Sequence, residues 1–415
     1  VQIFRIGNPS LISGGGGARV YKVLQYLPRY ARIILIPTFE YLILNCKKSS
    51  FSEILDLEKR GVSIPSEVFE VIDKCTKVKI SKLPNKLIKL EKEFLMNFTG
   101  YFKESSLALT DHELYQLLYA LKEIKTRVEN KISGFIIQTA PGDTANLLKY
   151  LRIRGFNLKS ILAYLRNIYS SFIFKESAGH LDFVLGITKT TINDLIKLNL
   201  IKNNIITKVI YPANAVDEEI FSYSTTKKET YAVYYARLIP HKGVREVPWI
   251  WKKVNEVLKD AKLLVLGKFS DAKLEKWFLS KSKNLNIEFR GFVPRKELLK
   301  IVSKAKVTVY PTHFDSFSLV ILESLALKTP IVSYGLPSLI EVYNNLPPVR
   351  FVREFDKERM AEEIIKIITM KDEDYENLFR NKRYEKFIED HNSWDKVAKS
   401  EFNIFNEILD NFKKS

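Results

Sequence analysis

Apolar positions along the chain change period in a way that marks alternating strands and helices. Short apolar runs at 2–6, 32–36, 41–44, 134–137, 183–187 and 208–211 read as strands. Between them apolar residues recur at helical spacing, as Val20, Val23, Leu24 and Leu27 do after Gly14-Gly15-Gly16-Gly17. Residues 50–130 are mostly helical in pattern. A second series begins near 230, with strands at 231–235, 263–266, 287–290, 307–310 and 331–333 and helices at 244–258 and 317–327. A strand, a Gly-rich turn, a helix and a strand open a parallel α/β layer. The alternation in each half predicts an α/β protein of two Rossmann-like, doubly wound domains facing each other. The expected division is 1–207, 208–390, and a terminal segment 391–415 whose helix, followed by no strand, packs back on the first domain.

Composition narrows the choice of partners. The 66 Lys and Arg residues against 48 Asp and Glu residues leave a formal charge of +18. Such a chain favours phosphorylated ligands, an acidic membrane surface or nucleic acid. No Arg-Gly tract, helix-turn-helix or aromatic-stacking signature is present, so nucleic acid is not expected. Two cysteines, Cys46 and Cys75, exclude a disulfide scaffold and a Cys-rich zinc site. They fit a reducing compartment. No apolar run is long enough to span a bilayer, and no basic segment followed by an apolar stretch opens the chain. A cytoplasmic protein is the expectation. Between Lys74 and Lys92 there are seven lysines and one acid, Glu91, interleaved with Val78, Ile80, Leu83, Leu87, Ile88 and Leu90. This is either a solvated face over a core or a basic amphipathic surface resting on anionic lipid.

Ligands of an open parallel sheet sit at the carboxyl ends of its strands. In the second half those ends are followed by Arg237 and Lys242-Gly243, by Gly267-Lys268, by Gly291-Phe292-Val293, and by Pro311 and Asp315, with Glu323 eight residues further on. The cations suit a diphosphate, and a helix starting near Ser316 would add N–H groups for an anion. Asp315 and Glu323 are about two helical turns apart and can share a side, where carboxylates accept hydrogen bonds from sugar or ribose hydroxyls. Singly, Asp315 also reads as an N-cap and Glu323 as a surface ion pair. His112, His180 and His391 read as surface residues, and His241 and His313 as bystanders in the loops. No His or Cys spacing marks a metal site.

Five stretches together resemble the retaining GT-B glycosyltransferases of family 4, the glycosyltransferase group 1 proteins. They are GGGGARV at 14–20, VIYPANAVDEEIF at 209–221, ARLIPHKG at 236–243, PTHFDSFSLVILESLALKTP at 311–330 and HNSWDKVAKSEF at 391–402. The resemblance implies a GT-B fold and transfer of a hexose from a UDP- or GDP-hexose to a hydroxyl of a glycan or lipid-linked glycan. It implies that Arg237 and Lys242 bind the donor diphosphate and that Asp315 contacts the donor sugar. It further implies that Glu323 holds the ribose, that the backbone at Phe317 and Ser318 faces the diphosphate, and that Gly291, Phe292 and Val293 line the base pocket. Gly15 and Gly16 would let the first domain approach the donor. No metal and no further cofactor are implied. The chain departs from the family pattern in three places. Asp315 stands where Glu is usual, Ser316-Phe317-Ser318 where Gly-Phe-Gly is usual, and Gln138-Thr139-Ala140-Pro141 where many members carry a His. These departures keep two alternatives open: a non-catalytic sugar-nucleotide-binding partner of a glycosylation complex, and an enzyme of the same fold that does not transfer, such as an epimerase.

Overall fold

The structure, a computed structural model, describes residues 1–10, 15–44, 51–74, 84–110, 121–122, 125–126, 128, 131–138, 146–202 and 204–414. The chain forms two compact units. One comprises Val1–Ala145, Leu162–Asn214 and Trp394–Ser415, and the other Asn146–Ile161 and Ala215–Ser393.

The first unit is built on β1 (Gln2–Ile6), β2 (Arg32–Ile36), β3 (Leu107–Thr110), β4 (Ile132–Ile137), β5 (Phe183–Gly186) and β6 (Ile206–Val209). They form one sheet in the order β2-β1-β3-β4-β5-β6, every pair parallel. The second unit holds β7 (Glu229–Tyr235), β8 (Lys262–Leu266), β9 (Ile287–Gly291), β10 (Ala305–Tyr310), β11 (Ile331–Tyr334) and β12 (Val349–Val352). Its order is β12-β11-β10-β7-β8-β9, again all parallel. Helices in the crossovers cover each sheet, so its central strands are apolar runs buried on both faces. All six residues of β10 are buried. In the second sheet the strand order reverses between β10 and β7. Crossovers leave these two strands in opposite directions, and the space beyond their carboxyl ends is the switch point where such sheets bind ligands.

Three elements differ from the sequence expectation. Residues 41–44 are not a strand but part of helix Phe39–Leu44. The Thr38 hydroxyl accepts the Tyr41 N–H at 3.0 Å, and Glu91 accepts the Phe39 N–H at 2.8 Å, so side chains satisfy the free donors of the first turn. Burial pushes the Glu91 carboxyl up to about 7. β3 lies inside the stretch read as helical, and β12 lies beyond the last expected strand; both are four residues long. Periodicity cannot separate a buried segment that short from a helix. Of the lysine-rich stretch, 75–83 lies outside the described residues, as do Cys46, Cys75 and His112. Among the described residues no helix is long and apolar enough to cross a membrane.

Helix Trp394–Lys414 belongs to the first unit. Its Glu401 is completely buried, with Arg5 of β1 at 2.9 Å and Arg19 at 2.6 Å. Arg19 also donates through Nε to the Ala213 carbonyl at 2.8 Å. Burial alone would raise the Glu401 pKa, but the two guanidiniums outweigh it and hold the carboxyl below its usual range. On the surface of the same helix, Asp395 pairs with Arg29 at 3.0 Å with the arginine largely exposed. Glu401→Ala leaves two buried cations unbalanced and is expected to cost about 3–5 kcal/mol. Asp395→Ala is expected to cost under about 1 kcal/mol. Thermal unfolding of the two variants checks this, and equal losses would contradict the buried triad as the anchor.

Candidate functional site

The site grows from the switch point. After β7 the chain passes Ala236 and Arg237 into a tight turn at Pro240–Lys242. Gly243 follows with φ +78°, and a β-carbon there would stand 1.9 Å from the Pro311 carbonyl oxygen. Only glycine lets the loop after β7 lie this close to the loop after β10. The contact is secured by the His313 N–H, which donates to the His241 carbonyl at 2.8 Å, and by the Tyr234 hydroxyl, which donates to the Lys242 carbonyl at 3.0 Å. The result is an ion pair across the two loops: Lys242 Nζ lies 2.6 Å from Asp315 Oδ2 and also donates to the Phe314 carbonyl at 3.1 Å. The same Asp315 oxygen accepts from the Tyr310 hydroxyl at 2.5 Å and the Thr312 hydroxyl at 3.2 Å. Burial, then the Asp315 charge, pushes the Tyr310 phenol well above its usual range, so it remains a donor.

Asp315 is therefore not an N-cap. The helix is Leu319–Ala326, starting two residues after the expected 317, and Ser318 caps it, its Oγ accepting the Ile321 N–H at 3.3 Å. Ser318 has φ +62°, a left-handed backbone for a residue with a β-carbon. Its carbonyl accepts the Tyr343 hydroxyl at 3.0 Å. Phe317 is buried against Tyr343 and His391, with ring centroids 5.6 and 5.7 Å away. His391, expected at the surface, is buried instead: it closes the end of helix Lys382–Asp390 and stacks on Phe387 at 4.2 Å. Ser316 Oγ, next to Asp315 in the chain, is buried and has no hydrogen-bond partner.

Arg237 is exposed. His241 reports the field of this rim: burial first, then the Lys242, Arg237 and Arg154 charges, push its imidazole down to about 3. Three cations thus act on one neutral histidine. Arg154 ends helix Leu147–Arg154, which comes from the first half of the sequence but groups with the second unit. His313 differs: burial opposes its charge, but Glu246 at 3.2 Å and Glu354 at 2.8 Å outweigh burial and raise its pKa. It is a buried partner of two carboxylates rather than a group open to a substrate, and Lys149 completes the cluster at 3.0 Å from Glu354.

Glu323 sits in helix Leu319–Ala326 and pairs with Arg295 at 2.8 Å. Gly291 ends β9 with φ +70°, and Phe292 beside it is 79% exposed. Both line a pocket of about 460 Å³ with Gly267, Lys268, Phe269 and Asp271; Val293, half-buried, is not part of that wall. Gly15 and Gly16 open helix Gly15–Leu24 in the first unit, where a β-carbon on Gly16 would stand 3.3 Å from Gln138 Oε1. Gly14 and 139–145 lie outside the described residues. Of the expected site residues, then, Lys242 and Asp315 touch, Glu323 is held by Arg295, and Gly15 and Gly16 stand in the other unit. Among the described residues no three His, Cys, Asp or Glu side chains could together hold a metal ion. Asp372-Glu373-Asp374 is an Asp-x-Asp triplet, but it opens a surface helix where Asp372 pairs with Lys306 at 3.3 Å.

Residues 215–386 match the family Glycosyl transferases group 1. The chain is 24% identical over 255 residues to the capsular polysaccharide biosynthesis glycosyltransferase CapM of Staphylococcus aureus, covering 57% of this chain and 65% of that protein. It thus spans less than two thirds of the length of that relative. Among solved structures, the sucrose-phosphate synthase of Thermosynechococcus elongatus superposes with a TM-score of 0.73 at 14% identity, over 99% of this chain and 100% of that one. HepE of Anabaena, solved in complex with UDP and glucose, superposes with a TM-score of 0.65 at 12% identity, over 98% and 99% of the two chains. The fold is GT-B, with its two Rossmann-like sheets.

The loop geometry predicts opposite outcomes at two positions. Gly243→Ala forces the loops apart and is expected to cost about 2 kcal/mol or more. Ser318→Gly relieves a left-handed residue worth about 1 kcal/mol and loses only a few tenths from the cap, so its melting temperature is expected to rise. Calorimetric scans of both variants decide; a neutral Gly243→Ala would mean that the close approach at Pro311 does not hold.

Proposed function

We propose, from the glycosyl transferases group 1 domain at residues 215–386, that the chain is a retaining, metal-independent hexosyltransferase. It takes a UDP- or GDP-hexose as donor and a hydroxyl of a glycan or lipid-linked glycan as acceptor. The observation that carries this reading is the Lys242–Asp315 pair at the β7/β10 switch point, with Arg237 exposed beside it. A nucleoside diphosphate is the ligand that such a rim neutralises. In the transition state the bond between the anomeric carbon and the phosphate oxygen breaks, and negative charge grows on the departing diphosphate. Lys242 and Arg237 offset that charge where it develops. The acceptor hydroxyl forms its bond on the face that the diphosphate leaves, and its proton passes to a donor phosphate oxygen. Asp315 meets the donor sugar, and Glu323, steadied by Arg295, meets the ribose. The backbone at Phe317 and Ser318 faces the diphosphate. Gly291, Phe292 and Val293 serve the base, and Gly15 and Gly16 serve the donor from the first unit. The departures at Asp315, Ser316 and Ser318 favour one second reading, a sugar-nucleotide-binding partner without turnover.

Incubation with UDP-glucose, UDP-N-acetylglucosamine and GDP-mannose, followed by NMR of the released or transferred sugar, separates the readings. Slow hydrolysis or transfer with the α configuration kept is the expected result, and Lys242→Ala is expected to lose about 10²–10³ in rate while keeping its melting temperature. Tight binding without turnover would favour the partner, and full activity in Lys242→Ala would overturn the assignment of the diphosphate site.

A further inference from the structure

Helix Leu158–Ala178 is 21 residues long and uses only part of its surface for packing. Phe174 and Ala178 on one side join Phe135, Ile137, Val184 and Leu195 in the core of the first unit. On the opposite side Leu158, Leu162, Leu165, Tyr169 and Phe172 form a row at four- and three-residue steps, and all five are exposed. Leu162 is 57%, Leu165 53% and Phe172 62% accessible, values that a core-facing row would not have. Ile161 and Ile168 widen the row to an arc of roughly 120°. Isolated exposed leucines need no explanation, but a contiguous row over four turns does. Charge identifies what would cover it. Lys159, Arg166 and Lys175 are exposed on the same helix, and between residues 146 and 175 there is neither Asp nor Glu. A second copy of this helix would bring like charges to both flanks of the seam, where paired helices need opposite ones. An anionic lipid surface meets both requirements at once: it takes up the apolar arc and attracts the flanking cations.

We propose that helix Leu158–Ala178 is a membrane-docking element that lies flat in an anionic lipid interface, with Leu162, Leu165, Tyr169 and Phe172 inserted. This surface is separate from the lysine-rich 74–92 stretch, and its residues from Leu162 onward group with the first unit. It deepens the acceptor reading above, for it rests on the acceptor being carried on a lipid, and it is tested without any donor so that the two can fail separately.

The test is flotation of the full chain with vesicles of equimolar phosphatidylcholine and phosphatidylglycerol, against vesicles of phosphatidylcholine alone. The expected result is binding to the first and not the second, reduced by salt. In a Leu162→Gln, Phe172→Gln double variant, whose changed side chains are exposed in the native fold, the bound fraction should fall about tenfold. A Leu165→Trp variant reads insertion directly: its indole emission should shift to the blue and be quenched by brominated lipid. Failure to float with anionic vesicles at low salt would overturn the proposal. So would unaltered binding of the double variant, an unshifted emission from the Leu165→Trp variant, or sedimentation as a dimer that the double variant dissolves, which would assign the row to a second copy. Donor hydrolysis measured in solution stays independent of each of these outcomes.

Discussion

The second unit depends on one close contact, the approach of the loop after β7 to the loop after β10. Neighbouring parallel strands whose crossovers run in opposite directions leave a gap at their ends. Here the gap is narrowed until the Pro311 carbonyl occupies the space that a side chain on residue 243 would need. That approach carries Lys242 to within 2.6 Å of Asp315. It costs a left-handed turn at Gly243 and another at Ser318, both supported by hydrogen bonds from Tyr234 and Tyr343. Backbone held in sparsely populated regions by its surroundings is a mark of positions where geometry serves a ligand.

In the proposed chemistry the pair is a resting arrangement. An ammonium already held by a carboxylate is kept in position and partly stripped of water. A diphosphate can then replace the carboxylate as its partner, leaving Asp315 to turn to the sugar. Tyr310 and Thr312, which donate to the same carboxylate oxygen, keep Asp315 from being stranded when Lys242 changes partner. His241, half-buried and kept neutral by burial and by the Lys242 and Arg237 charges, adds no competing charge. His313 lies behind the loop, clamped by Glu246 and Glu354, and stiffens the segment that presents Asp315.

Much of this was legible in the chain, for identifiable reasons. Four strands of the second sheet, β8 to β11, end at or run into Gly or Pro, and the rule that ligands sit at strand ends then selects Lys242 and Asp315. What stayed hidden depends on partners distant in sequence. Nothing local pairs Arg295 with Glu323, or sets Glu401 between Arg5 and Arg19. Residues 41–44 look like a strand until Glu91, fifty residues away, caps them as a helix. β3 and β12 are too short for periodicity to resolve. His391 reads as polar and exposed because its neighbours Asp390 and Asn392 are polar, while its ring is buried between Phe387 and Phe317. The exposed row on helix Leu158–Ala178 has the same periodicity as a core face, so only accessibility distinguishes the two.

The direct test of the Lys242–Asp315 exchange is the affinity for UDP, which carries the diphosphate but no sugar, measured by titration calorimetry in the native chain and in Asp315→Asn. If Asp315 holds Lys242 until the diphosphate arrives, removing its charge frees the ammonium, and UDP should bind about tenfold more tightly. Equal or weaker binding in Asp315→Asn would contradict the exchange.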